Sequence, residues 1–160
     1  MPFLKPDFSV IRVTDLDLDA LKASGIKGLL LDADNTLLPY AGMALPEGYR
    51  QWLDEAASKG FRIVVFTNNF KSRAGEIEQA LSLPLVYGWV KPWPWGMARA
   101  VRKMGLPKES ILLVGDQLFT DILGARLAGL ASALVEPLTK KDHAWTAFMR
   151  KLERLAGRRG

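Results

Sequence analysis

Residues 28–38 read GLLLDADNTLL, and the fold turns on what this run becomes. An apolar stretch from Gly28 to Leu31 heads for the interior and delivers Asp32 and Asp34 at its end. Burying a carboxylate is costly unless it is paired or bound to a cation. Asp-x-Asp where a hydrophobic strand emerges therefore suggests a metal or a reacting group. A strand followed by an Asx turn accounts for the same residues equally well, since Asp and Asn are ordinary turn formers. The rest of the chain has to choose between them.

Apolar, β-rich runs recur at 61–66 (FRIVVF), 85–87, 111–114 (ILLV) and 131–135. They are nearly continuous rather than alternating, as a sheet covered on both faces requires. Helix-like segments lie between them at 47–59, 72–81, 96–104 and 118–127, the first with Trp52, Leu53, Ala56 and Ala57 at helical spacing. Gly60, Gly105 and Gly129 stand where helix C-termini need a left-handed residue. This alternation predicts a doubly wound α/β sheet. No repeat, low-complexity tract or linker divides the chain. Residues 14–24 (TDLDLDALKAS) predict a short helix; their aspartates imitate the opening of a calcium loop, but Ala20 and Ile26 replace its glycine and glutamate. Near the C-terminus, Trp145, Phe148, Leu152 and Leu155 form an apolar stripe, expected to pack on the chain's own sheet.

Composition narrows the chemistry. A chain of 160 residues with 49% hydrophobic and 24% charged residues has the profile of one soluble globular domain. No uncharged apolar run approaches the roughly 18 residues of a membrane span, and MPFLKPDFSV is no signal peptide. A cytoplasmic protein is expected. There is no cysteine and His143 is the single histidine, which excludes thiolate chemistry and multi-histidine metal sites. Any metal must take oxygen ligands, favouring Mg²⁺, Ca²⁺ or Mn²⁺. The net charge of +5 attracts anionic partners, with much of the excess in the tail RKLERLAGRRG. A solvated tail without a partner explains that excess as well.

In an open α/β sheet, ligands bind beyond the carboxyl ends of the strands. After the first run stand Asp32 and Asp34, after the second Thr67, Asn68 and Asn69. After the third comes Lys91 in WVKPWPWG, and after the fourth Asp116 and then Asp121 in VGDQLFTD. Chance supplies polar residues at one strand end easily, but not at four. The grouping suits phosphoryl transfer. A carboxylate attacks a dianionic phosphate only when the charge is neutralised, as by Mg²⁺ on two carboxylates. Lys91 and the Thr67 hydroxyl would hold phosphate oxygens. An aspartate can form an aspartyl-phosphate, and a second carboxylate two residues on can trade protons with the leaving alkoxide and the water.

DADNTL, the threonine after FRIVVF, Lys91-Pro92 and GDQLFTD resemble the four motifs of the haloacid dehalogenase (HAD) superfamily of phosphatases, in the right order from about residue 27 to 135. More closely, GIKGLLLDADNTLL, TNN, VKP and GDQLFTDILGARLAG resemble the YqeG-type phosphatases of subfamily IIIA, a group similar to the mitochondrial and plastid phosphatidylglycerophosphatases. This match spans nearly the whole chain, including the region of Arg150 and Glu153. The resemblance implies a HAD-like Rossmannoid three-layer αβα sandwich with a central parallel sheet and no cap domain. It implies a single domain over 1–160: an N-terminal extension to about 26, a core from about 27 to 138 and a C-terminal helix over about 142–156. It makes Asp32 the nucleophile and Asp34 the general acid/base, with Asp32, the Asp34 backbone carbonyl and Asp116 on Mg²⁺. Thr67, Asn68 (through its N–H) and Lys91 would bind phosphate, and Asp121 would support Lys91 or a metal-bound water. Asp121 stands five positions after Asp116 rather than four, and the superfamily it resembles shows both spacings.

The gaps from Asp32 to the second strand and from Thr67 to Lys91 leave no room for a cap. By resemblance such sites are open and suit large substrates. The expected substrate is phosphatidylglycerophosphate, met at the inner face of a membrane without a span; Trp93 and Trp95 beside Lys91 suit a lipid–water interface. A rigid WPW loop packed over the site is expected ahead of direct membrane contact. A soluble nucleotide or sugar phosphate is the alternative substrate, with an oligomer partner closing the site. A nucleic-acid-binding module with a vestigial site is the weakest of the three, since it has no use for all of Asp32, Asp34, Lys91 and Asp116.

Overall fold

The computed structural model describes residues 4–68, 71–87, 94–139, 151–152 and 154–155. Six parallel strands form one sheet: β1 (Phe8–Ser9), β2 (Gly28–Asp32), β3 (Arg62–Phe66), β4 (Leu85–Val86), β5 (Ile111–Gly115) and β6 (Ala131–Leu134). Their order is β1-β6-β5-β2-β3-β4. The central strands are held in register by Gly28 opposite both Arg62 and Ile111, and by Asp32 opposite Phe66.

Side chains on a strand alternate between faces, and here both faces are apolar. Leu29, Leu31, Ile63, Val65, Leu112 and Val114 belong to one core with α1 (Leu18–Ala23), α2 (Tyr49–Ser58) and α3 (Lys71–Leu81). Leu30, Val64, Phe66 and Leu113 belong to the other, with α4 (Pro94–Met104) and α5 (Leu123–Ala128). The result is the doubly wound sheet expected from the unbroken apolar runs, in the three-layer αβα arrangement that the resemblance implied. Leu29, Leu30 and Leu31 are all fully buried, each stabilising the fold by about 1.5–3 kcal/mol. Helices α2 and α5 end in the same way. Gly60 (φ +89°) and Gly129 (φ +75°) take the left-handed conformation, and Phe61 N–H and Leu130 N–H reach back to Ala56 and Ala125.

Three features depart from the sequence expectation. The segment preceding residue 27 is part of the sheet: β1 pairs with β6 through Phe8 opposite Ala133. Both of its residues are exposed, so no apolar pattern announced it. It is fastened by Asp7, whose Oδ2 accepts from the Ser132 backbone (2.8 Å) and hydroxyl (3.1 Å). The helix expected over 118–127 is two pieces, a π-helical turn at Leu118–Ile122 running into α5. Of the C-terminal stripe, Leu152 and Leu155 are exposed rather than packed on the sheet; Trp145 and Phe148 lie outside the described residues.

Chain direction positions the site. From β2 the chain moves outward through β3 to β4, then returns to β5 on the other side of β2 and moves outward again. The carboxyl ends of β2 and β5 therefore flank the point where the winding reverses, the place where open α/β sheets bind ligands. Among the described residues, β3 and the two helices α2 and α3 lie between β2 and β4, with no cap domain among them.

Candidate active site

The end of β2 carries the first carboxylate. Asp32 is 8% exposed and accepts a hydrogen bond from Thr36 Oγ1 at 3.3 Å. The chain then turns back within six residues. Leu37 and Leu38 both donate to the Ala33 carbonyl, and Asn35 N–H donates to the Leu38 carbonyl at 2.7 Å. Such a tight return needs a left-handed residue, and Asn35 supplies it with φ +61°. Asn is among the few residues other than glycine that tolerate this region. The Asn35 side chain has a second task. Its Oδ1 accepts from Thr139 N–H (3.1 Å) and from the Thr139 hydroxyl (2.7 Å), and Leu138 N–H donates to the Asn35 carbonyl. The turn that carries Asp34 is thus latched to the segment following β6.

On β5, Asp116 emerges fully buried beside Asp32. Asp121 reaches the same point from the π-helical turn, where Asp121 N–H and Ile122 N–H both go to the Gln117 carbonyl. A π-turn spends one extra residue per turn, which absorbs the five-residue spacing from Asp116. Asp121 is 1% exposed and accepts from Gln117 N–H at 3.1 Å. Its carboxyl lies against Gly115 so closely that a Cβ there would fall on it. Gly115 is glycine for this reason.

Carboxylate oxygens of Asp32, Asp116 and Asp121 all lie within 4.8 Å of one another. At that separation two unit charges repel by about 3.5 kcal/mol even at an effective dielectric of about 20. Three buried carboxylates so placed call for a cation, and an all-oxygen donor set suits a hard divalent ion. The residues present fit Mg²⁺. The Asp34 carboxylate is not in this group: it faces the open side, where its side chain is 30% exposed. Thr67, at the end of β3 and 1% exposed, donates to Asp34 Oδ2 at 3.4 Å. Arg73, from the first turn of α3, donates to Asp34 Oδ1 at 3.2 Å. Asn68 follows Thr67 and is exposed. Lys91 and Trp93 lie outside the described residues. Trp95 stands at the start of α4 and is 66% exposed.

The structure thus gathers Asp32, Asp34, Thr67, Asn68, Asp116 and Asp121 at one end of the sheet. Sequence reasoning passed over Asn35, Thr36 and Arg73. The Asn within DADNT was a usable signal for a left-handed turn. Nothing in the sequence announced that Arg73 meets a residue 39 positions earlier.

The chain is similar to known proteins along most of its length. A family model described as HAD-hydrolase-like matches residues 88–146. The chain is 33% identical over 152 residues to the probable phosphatase YqeG of Bacillus subtilis, covering 95% of this chain and 88% of that protein. It is 30% identical to the chloroplastic/mitochondrial phosphatidylglycerophosphate phosphatase 1 of Arabidopsis thaliana, over 96% of this chain. Against that longer protein it spans 46% of the length. Among solved structures, D,D-heptose 1,7-bisphosphate phosphatase of B. bronchiseptica superposes with a TM-score of 0.57, at 19% identity, over 68% of this chain and 80% of that one. This last likeness is one of fold.

Proposed function

The chain belongs to the YqeG family of HAD-like phosphatases, and on that premise we propose that it is a Mg²⁺-dependent phosphomonoester hydrolase that forms an aspartyl-phosphate on Asp32, with phosphatidylglycerophosphate as its substrate. The observation that carries the mechanism is the division of the carboxylates. Three converge, buried, at the reversal of the sheet, while Asp34 stands apart on the open side under Thr67 and Arg73.

In this scheme Asp32, Asp116 and the Asp34 backbone carbonyl would hold Mg²⁺, with Asp121 beside them. Once bound, the ion neutralises phosphate charge and so lets an anionic nucleophile approach. An Asp32 carboxylate oxygen attacks phosphorus, the bond from phosphorus to the ester oxygen breaks, and Asp34 gives its proton to the departing alkoxide. Asp34, now ionised, takes a proton from water as the water oxygen attacks the same phosphorus. Inorganic phosphate leaves and Asp32 is restored. Thr67, Asn68 and Lys91 bind the phosphate oxygens.

Three features support a lipid substrate. The Arabidopsis relative is named for this lipid phosphate. Among the described residues no cap closes the site, and Tyr87, just past β4, and Trp95, at the start of α4, are 37% and 66% exposed. Aromatic rings at this position suit the water–lipid boundary. No helix among the described residues is long and apolar enough to cross a membrane.

The test is phosphate release by wild type and Asp32→Asn, with Mg²⁺ or EDTA, from phosphatidylglycerophosphate in mixed micelles and from a panel of soluble phosphomonoesters. Metal-dependent turnover of the lipid, lost in Asp32→Asn and far above the panel, is expected. Faster turnover of a soluble nucleotide or sugar phosphate would keep the mechanism and replace the substrate.

A further inference from the structure

Arg73 stands where the cleft meets solvent, with its side chain 21% exposed. One of its nitrogens, Nη2, donates both to Asp34 Oδ1 and to the Gly42 carbonyl, each at 3.2 Å. Its other terminal nitrogen lies 3.8 Å from Glu76, an exposed residue one turn along α3. Gly42 closes a turn in which its own N–H donates to the Pro39 carbonyl, and Ala41, the residue before it, is left-handed at φ +57°. A β-carbon makes that conformation costly, so the turn needs an outside hold. Arg73 supplies one.

The geometry points to Arg73 as a positioning residue for Asp34. Its guanidinium ties the carboxyl to the 39–42 turn on one side and to α3 on the other. Thr67 donates to Oδ2 and Arg73 to Oδ1; when the Thr67 hydroxyl turns to a phosphate oxygen, Arg73 keeps its hold on the carboxyl. This assignment rests on the reading of Asp34 as general acid/base. Arg suits the task better than Lys, because a planar fork offers two acceptors donors at fixed angles.

The consequence is selective. An alkoxide is a poor leaving group and needs a proton as it departs, whereas a nitrophenolate departs without one. The ratio kcat/KM reports transition-state stabilisation relative to free enzyme and substrate, so it isolates the first phosphoryl transfer from the later hydrolysis of the intermediate. Arg73→Gln and Arg73→Lys are compared with wild type and Asp34→Asn, using glycerol 3-phosphate as the alkyl ester and p-nitrophenyl phosphate as the aryl ester. Melting temperatures with and without Mg²⁺ accompany each variant, and Arg73→Lys guards against a Gln variant that fails to fold.

Arg73→Gln is expected to lose about 10²-fold in kcat/KM on the alkyl ester, the usual scale of a misplaced group. It should stay within about threefold of wild type on the aryl ester. Arg73→Lys should fall between. Equal loss on both esters, or no loss on either, would overturn the assignment. A rise in KM for the alkyl ester at constant kcat would also overturn it, by making Arg73 a substrate contact. If Asp34→Asn shows the alkyl-selective loss and the Arg73 variants do not, only the role of Arg73 fails. If Asp34→Asn itself lacks that selectivity, the acid/base reading of Asp34 fails, and the role of Arg73 with it.

Discussion

Asp116 has no exposed surface and shares a space under 5 Å across with two other carboxylates. Such a residue is costly to the metal-free protein and useful to the loaded one. Replacing it by Asn removes one charge from the repelling set. Asp116→Asn is therefore expected to melt higher than wild type in EDTA, and to lose most of the rise in melting temperature that Mg²⁺ produces. For wild type that rise should correspond to about 2.7 kcal/mol when Mg²⁺ is at about a hundred times its dissociation constant. Calorimetry of both proteins in EDTA and in a Mg²⁺ series checks both halves. Gly115 is sensitive in a different way. A methyl group there would meet the Asp121 carboxyl, and overpacking of this kind costs about 1–3 kcal/mol. Gly115→Ala should lower the melting temperature and weaken Mg²⁺ binding together, since Asp121 has to move. Isothermal titration with Mg²⁺ would show whether the two effects travel together.

At the scale of the element, the turn after β2 and the turn after β5 solve one problem in two ways. Both must send a side chain back over a strand end. The first does so with a left-handed Asn35 and a tight return onto Ala33. The second does so with a π-turn that fits an additional residue between Asp116 and Asp121. Asn35 combines backbone freedom with the bond to Thr139, and substitutions can separate these. Asn35→Gly keeps the left-handed turn and gives up the side-chain bonds; Asn35→Ala gives up both. Each lost hydrogen bond is worth about 1 kcal/mol and the strained φ about 1–2 kcal/mol more. Urea denaturation should rank wild type above Asn35→Gly and Asn35→Ala lowest. Thr139→Val removes the hydroxyl donor but keeps the N–H, and should fall between wild type and Asn35→Gly. A site of this kind reads poorly from sequence: DADNTL announced the acids, while the latch depends on a segment 104 residues later.

The whole molecule is a basic protein, net charge +5, whose cleft is acidic within. Attraction of the outer surface to anionic lipid is screened over about 8–10 Å at ordinary salt. Co-sedimentation with vesicles containing phosphatidylglycerol should therefore weaken steeply as salt is raised, and should be weaker still with neutral vesicles. Trp95→Ala is expected to reduce turnover of micellar phosphatidylglycerophosphate more than turnover of p-nitrophenyl phosphate. Equal reduction of both would place Trp95 in the packing of α4 rather than at the lipid. The edge strand β1 matters at this scale too, for it covers the open side of β6. Asp7→Ala removes the acceptor for both Ser132 donors, and limited proteolysis should then cut the first dozen residues before the core.

The amino-acid sequence by itself determined the layers of the sheet and the acids that stand at its strand ends. Unbroken apolar runs are satisfied by a sheet covered on both faces, and buried carboxylates at the ends of such runs call for a cation or hydrogen-bond donors. These are local statements, legible because burial and periodicity act on neighbours in the chain. Tertiary structure alone decided which groups meet. The β1–β6 pairing, the grip of Arg73 on Asp34 and the latch from Asn35 to Thr139 join residues tens to more than a hundred positions apart. They depend on which strands lie side by side and on the direction each polar side chain takes from them. The same holds for Asp121, five positions after Asp116 in the sequence and carried back to it by the π-turn. Hydrogen bonds and ion pairs are short-ranged and directional, so the pattern of residue types along the chain does not specify them until the backbone has brought their ends together.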